Sequence, residues 1–217
     1  MKQKLTIEIP SGWEDVTLKK YLEMQSDMES YRDNEEAQTA VLIHHLCNLP
    51  PEYLTGIGAD TYNELKEELH KFISPEDIPF QRFITIDGVE YGFEPNLSKI
   101  SYGAYADITQ YESVTIDKNW AKVMSILYRP VTKKVKDLYW IETYQGTIEE
   151  DKWLSVNMNV HFGALFFFVR LSMDLLNDTL NSMMEMPEIP QNIKSVLARS
   201  GKHMQQSLNL PTAILKR

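Results

Sequence analysis

The chain reads as mainly α with a small antiparallel β-sheet, an α+β body whose helices bundle around one long apolar helix. Three observations predict this class. The first is residues 160–184, the most apolar and most periodic stretch. Arg170, Asp174, Asn177 and Asn181 recur there at steps of four, three and four, one polar stripe along a helix. Phe168, Leu171 and Leu175, then Leu176, Leu180 and Met183, fill the other side. The second is Asp87-Gly88 between alternating apolar residues, a type I′ hairpin signal, because both turn positions need positive φ. The third is a set of capped, proline-terminated amphipathic segments before and after that hairpin.

From the start, Leu5, Ile7 and Ile9 alternate with Thr6 and Glu8, the period of a half-buried strand that Pro10 stops. Thr17 is a good helix N-cap, with Val16 and Tyr21 at the two positions of a hydrophobic staple. That helix frays in the acidic stretch 27–36. A second follows from Glu35 to about Cys47, ended by Asn48-Leu-Pro-Pro51. A third runs from about Asp60 to Phe72, burying Tyr62, Leu65, Leu69 and Phe72. The hairpin occupies residues 83–93, and the first strand is expected to join it as a third, since a lone hairpin is marginal in water. Residues 99–108 then align with 15–24 position for position, with Ser101 as the cap and Ile100 and Tyr105 as the staple. Each copy precedes an apolar helix ending in proline, residues 40–50 and 120–130. The chain thus presents a pseudo-repeat, 4–75 and 83–140, of strand-then-helix-pair units packed on each other, or else two good helix starts that converged by chance. Residues 131–151 look looser, a loop with a short strand or turn. Thr147 would close it as cap of a helix with Glu150 three residues on. That helix feeds the long apolar one, whose portion 162–169 is apolar all round, as if enclosed by other helices. Gly163 and Ala164 would let a neighbouring backbone come close. Residues 1–185 form the α+β body, and 186–217 a basic arm.

The formal net charge of −9 argues against a broad basic face for nucleic acid, which needs phosphate neutralisation. The charge is uneven. Residues 186–217 hold five Lys/Arg against Glu188, a net of +4, and the first 185 residues hold 17 basic against 30 acidic side chains, a net of −13. Cys47 is the lone cysteine, so no intrachain disulfide is expected, which fits a reducing compartment. No signal-peptide apolar region is read at the start. His161 and Arg170 interrupt the long apolar run, which reads as a core helix rather than a membrane span.

Chemistry-bearing constellations are sparse, and neither metal nor cofactor is expected. His44 and His45 are adjacent and point to different helix faces. His44 and Cys47 have the spacing of one ligand pair, but no second pair stands at zinc spacing. A buried thiol beside a surface imidazole is the plainer reading. His70 and His203 read as solvated, and His161 as a satisfied half-buried residue rather than a base. Glu64, Glu67 and Glu68, interleaved with Lys66 and Lys71, read as a solvated face. Glu149, Glu150 and Asp151 are explained by a helix N-terminus. Tyr102, Tyr105, Tyr111 and Tyr128 could stack nucleobases, but the acidic body offers no cationic groove, so packing is the better account. No nucleophile-elbow, P-loop or dinucleotide fingerprint occurs.

The basic arm is different. It follows a proline break and carries spaced apolar anchors, among them Ile193, Val196, Leu197 and Leu208, beside Arg199 and Lys202. Such a segment can dock on another subunit by burying those anchors; a frayed terminus without a role is the other reading.

Residues 13–23 (from Trp13 through Tyr21), Leu127-Tyr128-Arg129-Pro130 and residues 162–168 (Phe162 to Phe168) resemble a family of bacteriophage proteins from tailed phages of Bacteroidetes hosts, including the crAss-like group. The order and spacing match over roughly residues 3–185. The resemblance implies a protein encoded among tail and virion genes, similar in size and helical character to tail assembly chaperones or to internal cargo proteins. The expected function is that of a virion- or tail-associated protein acting by protein–protein binding, found in the virion and, during assembly, in the host cytoplasm. Expected partners are tail, portal or ring subunits, or further copies of itself. A chaperone absent from the mature particle is the alternative within this class, and a cytoplasmic enzyme or regulatory domain the alternative outside it. The family's motifs are structural, so no catalytic residue carries over.

Overall fold

The computed structural model describes residues 7–73, 78–111 and 115–186, together with Pro190 and Ser195. Four helices come first: α1 (Leu18–Ser30), α2 (Glu35–Cys47), α3 (Pro51–Leu54) and α4 (Ala59–Ile73). A hairpin of β1 (Phe83–Ile86) and β2 (Val89–Phe93) leads to α5 (Tyr102–Thr109) and α6 (Trp120–Leu127). A second hairpin, β3 (Tyr128–Val135) and β4 (Leu138–Ile141), precedes α7 (Glu150–Leu154) and α8 (Met158–Glu185). The architecture is therefore mainly α with one small four-stranded antiparallel sheet and a long late helix, the class the sequence predicts.

Local chemistry explains the helix ends. The Thr17 hydroxyl accepts from the Lys20 amide at 3.3 Å, and Val16 and Tyr21 beside it are fully buried. Asn34 caps α2 by accepting from the Ala37 amide at 3.0 Å. Asn48 ends α2 in the left-handed region at φ 52°, which asparagine tolerates better than most residues. On α4, Leu65 and Leu69 are buried, while Tyr62 and Phe72 are partly so.

The sheet runs β1-β2-β3-β4. Asp87 and Gly88 take φ 51° and 78°, the two left-handed positions that the hairpin turn requires. The third strand is not the one expected. Residues 7–10 form no strand, and β3 lies beside β2 with Phe93 opposite Tyr128 and Tyr91 opposite Pro130. Residues 5 and 6 lie outside the described residues. Pro130 thus sits inside a strand rather than closing a helix, because α6 stops at Leu127 and the chain turns straight into β3. The segment after Val131, read as a loop with a short strand or turn, holds the rest of β3 and all of β4, a second hairpin. Its turn uses Lys136 at φ 54°, a residue type that does not announce such a conformation. A bulge between Val131 and Lys133 bends β3, and the Tyr139 ring of β4 then lies against Gly92, where a Cβ would meet Tyr139 Cε2 at 2.9 Å.

The two aligned segments share their caps and differ around them. Ser101 accepts from the Ala104 amide at 3.3 Å, just as Thr17 does in the first copy. The staple is not reproduced, because Tyr105 is 56% exposed where Tyr21 is wholly buried. All four strands among the described residues follow residue 82, so the first copy has no described strand to match. Thr147 is not a cap either. α7 begins after Glu149, whose amide donates to the Ser125 hydroxyl at 2.8 Å.

Two helix starts are tied together at the centre of the core. The Leu18 amide donates to the Val156 carbonyl at 2.9 Å, and the Met158 amide to the Val16 carbonyl at 2.7 Å, an antiparallel bridge between Thr17 and Asn157. One continuous apolar core follows, drawing on α1, α2, α4, the sheet, α6, α7 and the first turns of α8. Phe162, Ala164 and Leu165 are buried in it, and Trp13, Tyr21 and Phe162 pack edge-on with ring centroids 4.9–5.8 Å apart.

The surroundings of α8 are not other helices alone. At Gly163 the chain at Pro79 passes so close that a Cβ would lie 2.6 Å from the Pro79 carbonyl oxygen. Gly163→Ala should therefore lower stability by about 2 kcal/mol, since backbone rather than a flexible side chain has to move. Gly103→Ala, whose Cβ would meet nothing nearer than Tyr144 Cδ1 at 3.9 Å, should be neutral or slightly favourable. Equal losses in denaturant titrations of both variants would refute the close approach.

Candidate protein-binding surface

α8 changes character along its length. Its N-terminal turns are buried, but beyond Leu165 none of its described side chains is. Phe168, Leu171, Leu180 and Met183 are half-buried, and Leu175 is 59% exposed. Arg170, Asp174, Asp178 and Asn181 are exposed, and Asn177 is half-buried. The polar stripe thus faces water, whereas the apolar stripe expected to be enclosed is only partly covered. The helix is also long and apolar enough to cross a membrane by length and composition. Its first turns are instead enclosed by protein, with Met158, His161 and Ala164 at zero exposure.

At the point where α8 leaves the core it borders a cleft of about 430 Å³. Phe80 and Phe167 stack there with centroids 4.4 Å apart at 20°, and Phe93 meets Phe167 edge-on at 5.5 Å. Leu97, Leu138 and Leu171 complete the apolar lining, while Arg82, Glu94 and Asp137 stand at its polar edge. Leu171 belongs both to the cleft and to the partly covered apolar stripe of α8, so the cleft continues onto the helix at that turn. Periodicity found the stripe; the cleft needed the β3–β4 hairpin, which the sequence did not reveal.

The arm residues singled out by sequence, Ile193, Val196, Leu197, Arg199, Lys202 and Leu208, lie outside the described residues.

The polar clusters of the body have structural partners. Tyr91, buried under β2, accepts from Lys152 Nζ and donates to Glu149 Oε2 at 3.3 Å, and Lys152 also donates to Glu149 Oε1 at 2.6 Å. Glu149 and then Tyr91 raise the Lys152 pKa, which keeps the amine charged and unsuited to act as nucleophile or base. The cluster pins α7 to the sheet. Sequence reading missed it because its members are some sixty residues apart. Arg129 pairs with Glu94, both largely buried, and Tyr144 donates to Asp107 Oδ2 at 2.6 Å. Burial and that bond push the Tyr144 hydroxyl up to about 12.

The histidines resolve individually. His44 Nδ1 meets the Leu49 carbonyl at 2.9 Å, and His45 Nε2 meets Asp27 Oδ2 at 2.8 Å. Cys47 is buried, which raises its thiol pKa. His70 is exposed on α4, and His203 lies outside the described residues. His161 is fully buried rather than half-buried. Its Nδ1 accepts from Trp120 Nε1 at 3.2 Å, and its Nε2 is buried without a hydrogen-bond partner among the described residues. Burial depresses its pKa to about 4, so the ring is neutral. Glu64, Glu67, Glu68 and Lys71 are exposed, with Lys71 bonded to Glu68 at 2.6 Å and Lys66 to Glu35 at 2.8 Å. Of the tyrosines read as packing residues, Tyr128 is core, whereas Tyr102 and Tyr105 are exposed. Among the described residues no group of three His, Cys, Asp or Glu side chains is placed to hold a metal ion.

No protein-family model, curated protein or solved structure matches this chain.

Proposed function

We propose that this is a bacteriophage virion- or tail-associated protein that acts by binding other protein subunits, as a structural or internal cargo component. The observation that carries the binding reading is the apolar surface of α8 and its adjoining cleft, which the described residues leave partly open. The phage setting rests on the resemblance of residues 13–23, 127–130 and 162–168. An assembly chaperone that leaves before the particle is finished would use the same surface.

Mass spectrometry of purified particles of the encoding phage separates the two. Many copies per particle excludes a pure chaperone; absence from particles excludes a structural or cargo role. Absence from particles and from complexes with any phage subunit would sink the proposal altogether. Deleting residues 187–217 should leave the thermal melt of the body close to that of the full chain, because its described buried core ends at Leu165. The same deletion should abolish association with the phage partner. A collapsed melt would place that segment in the core and overturn its binding role.

A further inference from the structure

The sheet has two edge strands, and they are not alike. Of β1 only Thr85 is exposed, whereas β4 exposes Leu138 and Trp140, at 66% and 47%. β4 also lacks the devices that normally blunt an edge. Leu138–Ile141 contains no charge and no proline, and the bulge and the lysines Lys133 and Lys134 lie on the inner strand β3.

The hairpin's own bonds show which groups of β4 stand open. Leu138 pairs with Val135 across the two-residue turn, the Trp140 carbonyl accepts from the Thr132 hydroxyl at 3.2 Å, and the Glu142 amide donates to the Pro130 carbonyl at 2.9 Å. Even-numbered residues thus turn their N–H and C=O groups towards β3, and Tyr139 and Ile141 turn theirs outward. Among the described residues no backbone group bonds to that outer edge.

The sequence of β4 matches itself across such an edge. When two β4 strands run antiparallel about Tyr139, the two Tyr139 residues exchange both backbone bonds. Leu138 then falls opposite Trp140 of the other copy, and Lys136 opposite its Glu142, and two-fold symmetry repeats each pair. A shift of two residues puts Leu138 opposite Glu142 or Lys136 opposite Trp140, and either one breaks the charge pairs. Lys136 and Glu142 are exposed and form no ion pair among the described residues.

We propose that two copies of this chain pair β4 to β4 about Tyr139, forming one continuous eight-stranded antiparallel sheet with β1 at both ends. The contact is isologous, so it closes at two copies and covers the exposed Leu138 and Trp140. It does not rest on the phage reading.

Sedimentation equilibrium of the full chain across concentration should show a monomer–dimer equilibrium. Ile141→Pro removes an outward amide and spares the β3–β4 bonds, so it should abolish the dimer while keeping wild-type circular dichroism. Trp140→Ala should weaken the dimer at least about tenfold. Lys136→Glu and Glu142→Lys each set like charges across the axis and should weaken it roughly tenfold. Mixed one to one, these two variants should pair with each other at near wild-type strength, because every facing charge pair is then of opposite sign. The charge variants decide the case even if the proline unfolds the sheet. A full chain that stays monomeric, the result if the edge takes an extended segment of another protein, overturns the proposal. So does a dimer that survives a folded Ile141→Pro, or a mixture that pairs no better than either charge variant alone. A dimer absent from particles removes the virion reading and leaves this contact standing; a monomer found in particles removes this contact alone.

Discussion

Trp153→Ala should cost about 4 kcal/mol of stability, whereas Trp153→Phe should cost only about 1. Trp153 is fully buried where α7 meets the sheet and the start of α8, with Tyr128, Tyr91 and His161 at ring-centroid distances of 5.3, 6.1 and 6.3 Å. Removing the indole leaves a large cavity among side chains already fixed by the Thr17–Asn157 bridge and by the Tyr91–Lys152–Glu149 cluster, so the site cannot collapse to fill it. Phenylalanine keeps most of the volume and removes an indole N–H that has no hydrogen-bond partner, so little polar interaction is lost. Guanidinium titrations of the two variants give the comparison. Equal losses would mean that the indole N–H has a partner and that the polar contact dominates.

Acidification should destabilise the protein through His161 as pH falls from 6.5 to about 4. The ring packs against Trp120 and Trp153, and its folded pKa is held at about 4, below the ordinary 6.5, by burial. Above pH 6.5 the ring is neutral in both states and its contribution to stability is complete. Between 6.5 and 4 the unfolded chain takes up a proton that the folded chain refuses, so stability falls as pH falls. Below 4 both states are protonated and the loss is finished, on the order of 3 kcal/mol in all. Exposed acids such as Asp15 and Glu35, whose pKa values are lowered by Ser11 and Lys66 respectively, act at lower pH. His161→Gln, which stays neutral and can still accept from Trp120, should flatten the dependence between pH 6.5 and 4. Parallel pH profiles of unfolding free energy for the two proteins would rule His161 out as the cause.

How much of this was legible beforehand differs element by element. The Thr17 and Ser101 caps, the Asp87-Gly88 turn and the extents of α2, α4 and α8 follow from side chains acting within a few residues of themselves. A hydroxyl three residues from an amide, or a residue pair that tolerates positive φ, needs no distant partner. Gly163 was legible too, as a place of close approach, although the backbone that fills it, at Pro79, was not.

The misses share the opposite property. The β3–β4 hairpin turns at Lys136 with no local signal, and the edge of β2 is taken by β3, whose Tyr128 and Pro130 arrive there directly from α6. The cleft exists only where that hairpin, Phe80 and α8 converge. Thr147 had the right spacing for a cap, yet the Ser125 hydroxyl, over twenty residues away, holds the chain at Glu149 instead.

By itself, then, the sequence determined the helix starts, the first hairpin, the apolar line of α8 and the opposition of an acidic body to a basic arm, because these depend on neighbours in the chain. Tertiary structure alone decided which strand completes the sheet, that His161 is neutral, and that the outer turns of α8 stay partly open. Those outcomes depend on competition between segments far apart in sequence for the same apolar surface, and no local pattern encodes the winner.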